Sequence, residues 1–491
     1  MISLGNRLKN AFAKSRFANP ESAMRHVSLI AGGTVIAQAI GILTIPIVSR
    51  IYSPADYSIM VVYASVIAIL GELSGFRYYL AIPLPKEERY AKALVVLSLG
   101  LQIIFVALLT LLLFVAGEFL LTKLSMPELI PYRALIPLGL LATGTYLVLT
   151  QWAIREKLFS TIARTKITQS LSGTVAKIGL GLLGVRPLGL LIGTIVAQGG
   201  GITTLLRSLL KKKGVPRPKR ADIRRTALRY RKFPIYNTWA AMLNVLGSHI
   251  APVLLLVLYN PQIAGLFAMG QQILRLPVHF VGEAIKQVFM QRASVARHQG
   301  GLKQLSLYTY CLLLQIAFFP VMIISFFAPQ LFALFLGNQW IEAAKYAMLL
   351  GPLVAYNFAY SPVSVLYSIL NRQNIGLYFQ ILHTLFIILA FWAGTHSGDP
   401  LISVSLYSAI NTLVYFLRML ELLSAAGNDF RIFFSKTLRI IGEAFSLLLF
   451  PYLVFILDFH KVVLIPVLST VSLIFLLRTR KLFSERSYLG V

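Results

Sequence analysis

Within the segment 264–290, Gln272, Arg275, His279, Glu283 and Lys286 recur at steps of three and four residues, separated only by apolar residues, Gly282 and Pro277. On an α-helix this spacing sets all five on one face along about 20 Å of axis. An ionisable side chain at mid-membrane costs at least about 2.5–3.5 kcal/mol on insertion scales, so such a face needs a partner or a water-filled cavity. Guanidinium and ammonium groups hydrogen-bond phosphate and carboxylate oxygens directly, which makes an anion the natural guest. Pro277 deletes one backbone hydrogen bond and frees a carbonyl, marking a hinge. The competing reading is a set of structural ion pairs, with Glu283 joined to Lys286 or His279.

Two further segments carry intramembrane charge. Glu72 and Arg77 fall in the second apolar stretch, and Lys177 falls near the middle of SLSGTVAKIGLGLLG. Together with the first segment they set four bases, Arg77, Lys177, Arg275 and Lys286, against two acids, Glu72 and Glu283, so a shared cavity would be net cationic. Arg77 and Lys177 can instead snorkel, or pair with Glu72. Gln38, beside Thr34, and Asn237, Asn244 and His249, beside Ser248, offer amides and rings suited to sugar hydroxyls and equally suited to interhelical hydrogen bonds. Tyr356, Asn357, Tyr360, Ser361 and Tyr367 form a similar aromatic and polar group.

The elements that must hold these residues follow from hydropathy. Of 491 residues 57% are hydrophobic and 13% charged, which excludes a water-solvated domain of this length. Apolar stretches bounded by charged or Pro/Gly-rich breaks predict fourteen transmembrane helices, at 27–50, 58–83, 94–116, 133–153, 168–185, 188–206, 234–258, 262–290, 305–335, 345–370, 375–395, 400–424, 438–457 and 461–478. With a cytoplasmic N-terminus, the predicted cytoplasmic segments hold 35 of the 46 Lys and Arg and the external ones 6; Arg77, Lys177, Arg275, Lys286 and Arg418 fall inside spans. The net charge of +29 is thus a topology signal and not a nucleic-acid footprint.

The expected fold is an all-α integral membrane protein of two parallel, pseudo-symmetric six-helix bundles with an appended helix pair. Residues 1–26 form an amphipathic or basic cytoplasmic segment, 27–206 the first bundle, 207–233 a basic linker, 234–424 the second bundle, 438–478 the added pair and 479–491 a cytoplasmic tail. Ile51-Tyr-Ser-Pro-Ala-Asp-Tyr after the first span is echoed by Leu258-Tyr-Asn-Pro-Gln-Ile-Ala after the seventh, as parallel repeats require. The linker block between Arg207 and Lys232 reads as a topology determinant or as a clamp on anionic headgroups.

Other motifs drop out. Gly179, Gly181 and Gly184 match GxGxxG but lie in a hydrophobic span with no preceding strand, where close helix packing explains them. Phosphate-loop and HExxH patterns are absent, and the lone Cys311 excludes an intrachain disulfide and a multi-cysteine zinc site, so neither catalytic residues nor a metal site are expected.

With its fourteen spans, its basic central loop, the opening SLIAGGTVIAQAIGILTIPIVSRIYSPADYSIMVVYASV and the Leu274–Pro277 stretch LRLP, the sequence resembles the polysaccharide-repeat-unit flippases of the multidrug/oligosaccharidyl-lipid/polysaccharide (MOP) exporter superfamily. That resemblance implies alternating access around a central cationic cavity and an undecaprenyl-pyrophosphate-linked oligosaccharide as substrate. The protein would sit in the inner membrane with both termini cytoplasmic, among membrane lipids, polysaccharide polymerase and assembly proteins, with no nucleic acid. It implies no cofactor and no enzymatic step, with H+ or Na+ as coupling ion. Carried onto this chain, Arg275 is the first pyrophosphate contact, Arg77, Lys177, Lys286 and Gln272 assist, and Glu72, Glu283 or His279 couple the ion. Lipid II flippases of the superfamily carry charge in the first span, which 27–49 lacks, and its multidrug extruders use an acidic pocket; both remain alternatives, as does a membrane polymerase or ligase.

Overall fold

The computed structural model describes residues 20–210 and 218–456, without the side chains of 20–31, 277–281, 283–284, 287 and 450–456. The segment 1–19, the middle of the basic linker, the span 461–478 and the tail 479–491 lie outside the described residues. Within them every regular element is helical, and the protein is an all-α, multi-pass membrane protein. The chain divides into two compact units, one comprising residues up to 51 with 66–123 and 127–242, the other 52–65, 124–126 and 243 onward.

The first unit contains α1 (Pro20–Ile51), the second part of α2 (Pro54–Ser74), α3 (Glu88–Lys123), α4 (Leu135–Arg155), α5 (Phe159–Leu182), α6 (Leu188–Gly199), α7 (Ile202–Leu210) and α8 (Arg220–Arg229). It is built inside out relative to a soluble domain: Phe114 and Val115 of α3 are 79% and 75% exposed, a surface suited to lipid tails. Helices α1, α5 and α6 pack in succession, and small residues allow the approach. A Cβ at Gly33 would lie 2.8 Å from Ala163, and one at Gly193 would lie 2.3 Å from Lys177 Cγ.

The second unit contains most of α9 (Thr238–Leu258), then α10 (Pro261–Gln299), α11 (Leu302–Phe326), α12 (Ala328–Phe335), α13 (Ile341–Val363), α14 (Leu366–Ile369), α15 (Gln373–Thr395), α16 (Pro400–Ala425) and α17 (Phe430–Ile456). Helix α13 packs against α10, α11 and α16, and 67% of its apolar window is buried, so it is the core of this unit. Three helix starts share one device, a capping side chain followed by proline at the first helical position. Ser53 and Asp56 exchange bonds across Pro54, Asn260 Oδ1 accepts from Ile263 N at 2.9 Å, and Asp399 Oδ1 accepts from Leu401 N at 2.8 Å. The repeated Tyr-Ser-Pro and Tyr-Asn-Pro of the sequence are therefore two copies of a helix start.

Among the described residues each of the first thirteen expected spans overlaps one or two helices. Ten helices are long and apolar enough to cross a membrane among the described residues, and α5, α10 and α17 are not among them. Polar residues, Lys177 on α5 and the stripe on α10, dilute their hydropathy. The second expected span, 58–83, ends early: α2 stops at Ser74, and Phe76 and Arg77 turn the chain in the left-handed region with φ 46° and 55°.

Candidate functional site

The second unit encloses a cavity of about 290 Å³. Helix α10 supplies Gln271, Arg275 and Gly282, which at steps of four and seven share one face. Gly282 keeps that face open, because a Cβ there would approach the Phe358 ring to 3.2 Å. Ser248 comes from α9, Asn357 and Ser361 from α13, His383 from α15, and Tyr407 and Tyr415 from α16. Among the described lining residues Arg275 is the charged one and none is Asp or Glu.

Arg275 forms no ion pair or hydrogen bond among the described residues. It shares the cavity lining with Tyr407 and Tyr415, whose hydroxyls can hold an anion together with it. The tyrosines are fixed from behind. Tyr407 stacks on Phe391 with ring centroids 5.2 Å apart, and Tyr415 leans on Tyr360 at 5.1 Å and on His383 at 5.2 Å. Such preorganised donors on rigid helices can hold the oxygens of an anion without first paying to reorient.

A second guanidinium stands behind this wall. Arg418 is 5% exposed, sits over the Tyr360 ring at 5.0 Å and the Tyr415 ring at 6.0 Å, and donates to Gln380 Oε1 at 3.2 Å. Sequence reasoning placed Arg418 in a span without giving it a role and passed over His383, Tyr407 and Tyr415. A signal was present: Tyr407, Asn411, Tyr415 and Arg418 at steps of four, four and three form a polar stripe like that of α10.

The other expected site residues divide. Gln272 does not reach the cavity; its side chain takes the hydroxyl of Tyr57, and the 100° between neighbours on a helix hands the lining position to Gln271. Lys286 is half-buried, is not in the described lining and has an interaction of its own. The side chains of Pro277, His279 and Glu283 lie outside the described ones. His249 is half-buried beside Arg275, whereas Asn244 is exposed and its carbonyl accepts from Ser248 Oγ at 3.0 Å. Of the α13 group, Asn357 and Ser361 line the cavity, Tyr360 backs it, and the Tyr356 hydroxyl instead shares a hydrogen with Tyr310 at 2.9 Å.

Five expected residues, Gln38, Glu72, Arg77, Lys177 and Asn237, belong to the first unit. Arg77, placed by sequence inside a span, follows the end of α2 and meets Glu72 at 3.5 Å, with each side chain about one-fifth exposed (22% and 19%). Lys177 lies against Gly193 of α6. Gln38 is half-buried on α1, and Asn237 is exposed at the end of the π-helical turn Phe233–Asn237. Among the described residues no group of three or more His, Cys, Asp or Glu could hold a metal ion.

The family model described as "Polysaccharide biosynthesis protein" matches residues 47–345, more than half the chain. The chain belongs to this family. Among solved structures, this polysaccharide biosynthesis protein is similar to the lipid II flippase MurJ in an inward closed conformation, with 14% identity over 93% of this chain and 100% of that one and a TM-score of 0.66. It is also similar to an inward-facing multidrug resistance MATE family transporter of the MOP superfamily, with 15% identity over 82% and 99% of the two chains and a TM-score of 0.61. A MOP superfamily transporter from Pyrococcus furiosus, reported with reversed polarity of its binding pocket, aligns at 15% identity over 82% and 96% with a TM-score of 0.54. At these identities the likeness establishes the MOP transporter fold. No curated protein matches the sequence.

Proposed function

We propose that this polysaccharide biosynthesis protein is a flippase that carries an undecaprenyl-pyrophosphate-linked oligosaccharide across the inner membrane by ion-coupled alternating access, with both termini cytoplasmic. The observation that carries the reading is Arg275, a cation facing a cavity whose described lining contains no carboxylate. A cationic drug would be repelled there, and a phosphate oxygen would find a guanidinium, tyrosine hydroxyls and the amides of Gln271 and Asn357 together. Aromatic rings and amides are also the groups that hold sugar faces and hydroxyls, while the polyprenyl tail stays in lipid. Family membership supports a place in polysaccharide assembly, and the fold supports transport over bond-making chemistry.

Coupling needs a group whose charge changes with H+ or Na+ binding in one access state only. Glu72, Glu283 and His279 are the candidates. The test is mass spectrometry of undecaprenyl-linked lipids from cells lacking the gene, with leaflet sidedness probed by periplasmic accessibility. A defined lipid-linked oligosaccharide accumulating on the cytoplasmic side is the expected result. Single repeat units accumulating on the periplasmic side would mean export is intact and would replace the flippase reading with a polymerase one.

A further inference from the structure

Arg418 has surroundings that a purely structural arginine would not need. It is 5% exposed, yet no carboxylate lies within ion-pair distance of it among the described residues; the nearest acid in sequence, Glu421, is engaged by Arg372 at 2.8 Å. Among the described residues its polar partners are neutral, the Gln380 amide at 3.2 Å and the Tyr360 hydroxyl, and its Nε has no partner. The same neighbourhood leaves His383 Nδ1 without a partner, and His383 lines the cavity. A buried cation without an ion-pair partner is expensive in low dielectric, and a structural role is filled as well or better by an apolar residue of similar size.

The link to the cavity is Tyr415. Its ring centroid is 6.0 Å from the Arg418 guanidinium carbon, and the residue lines the cavity together with Arg275. His383 touches the same ring at 5.2 Å. Two guanidiniums thus converge on one cavity wall, from α10 and from α16, with neutral hydroxyl, imidazole and amide groups between them.

We propose that Arg275 and Arg418 form one two-cation site that selects a guest bearing two adjacent anionic groups over a guest bearing one, with Arg275 contacting the first group and Arg418 positioning the second through Tyr415 and His383. This rests on the transport reading for its biological guest, but the selectivity itself is a property of the cavity. Diphosphate chemistry fits, whether free or at the head of a lipid.

The test uses the full chain in lipid nanodiscs and compares binding of inorganic pyrophosphate with orthophosphate, and of undecaprenyl pyrophosphate with undecaprenyl phosphate, by calorimetry and native mass spectrometry. The wild type should prefer the diphosphate member of at least one pair. Arg418→Met, an apolar replacement suited to a buried site, should lower diphosphate affinity about tenfold and monophosphate affinity less than twofold. Arg418→Lys should restore most of the preference, and Arg275→Gln should weaken both. Preference confined to the lipid pair identifies a lipid-linked guest; preference in both pairs identifies the diphosphate alone as sufficient. If Arg418→Met keeps the wild-type preference, or weakens both members equally, the inference falls while the flippase reading stands. If the wild type binds no member of either pair, both fall. Thermal unfolding of each variant separates loss of fold from loss of selectivity, and Arg418→Gln gives a second neutral replacement should Arg418→Met not insert.

Discussion

The two units answer buried charge differently. In the first, Arg77 has Glu72 at 3.5 Å and sits where the chain has already left its helix. In the second, Arg275 and Arg418 have tyrosines, a histidine and amides around them and no acid within ion-pair distance among the described residues. A membrane protein can hold an ionised side chain by giving it a local counter-charge or by giving it a polar cavity that an outside ion completes. The first unit uses the former at Arg77; among the described residues of the second, Arg275 and Arg418 have the latter kind of surroundings.

The sharpest way to break this contrast is Arg275→Gln. Removing one side of a desolvated charge-assisted contact costs about 2–5 kcal/mol of binding, so transport should fall about thirtyfold or more. The folded protein should lose little stability, since no partner among the described residues is orphaned. Lipid-linked intermediate accumulation and thermal unfolding, measured on the same variant, check the two halves. Wild-type transport would remove Arg275 from the site and with it the contrast.

Filling the cavity should come next in size. Gly282→Leu projects a side chain toward Phe358, whose ring a Cβ alone would approach to 3.2 Å, so the guest loses space while every polar group stays in place. About a tenfold loss of transport is expected, with the cost of overpacking near 1–3 kcal/mol. In the first unit the matched change is Gly193→Leu, where the Cβ would meet Lys177 Cγ at 2.3 Å. There about 1–3 kcal/mol of stability should go, because α5 and α6 must separate, and transport should fall only in proportion to folded protein. Equal transport defects per folded molecule in the two variants would erase the distinction between the units.

Much of this was legible in the sequence, for physical reasons that also explain the gaps. Hydropathy located the helices because lipid leaves little choice of backbone conformation, and Asn260-Pro261 marked a helix start because capping and proline chemistry are local. The lining of α10 was displaced by one position because Gln271 and Gln272 are adjacent and either completes a stripe; only packing against Tyr57 decides between them. Arg418 and His383 were missed as a pair because they meet through Tyr415 from different helices, a juxtaposition that no single-helix periodicity encodes. The early end of α2 was missed because two left-handed residues in an aromatic row carry no hydropathy signal.

The smallest expected effect tests whether Arg77 is kept for its charge at all. Its φ of 55° is a conformation that costs a side-chain-bearing residue about 1–2 kcal/mol and glycine almost nothing. Its pair with Glu72, partly exposed to solvent, is worth about 0–1 kcal/mol. Arg77→Gln removes the pair and keeps the strain, so it should destabilise by less than about 1 kcal/mol; Arg77→Gly removes both and should be as stable as the wild type or slightly more so. If both variants transport normally, Arg77 serves as a helix terminus with a local counter-charge, and the contrast between the units holds. If Arg77→Gly folds well but transports poorly, the guanidinium itself is needed, strain is tolerated in order to place it, and the first unit contributes a cation to the guest after all.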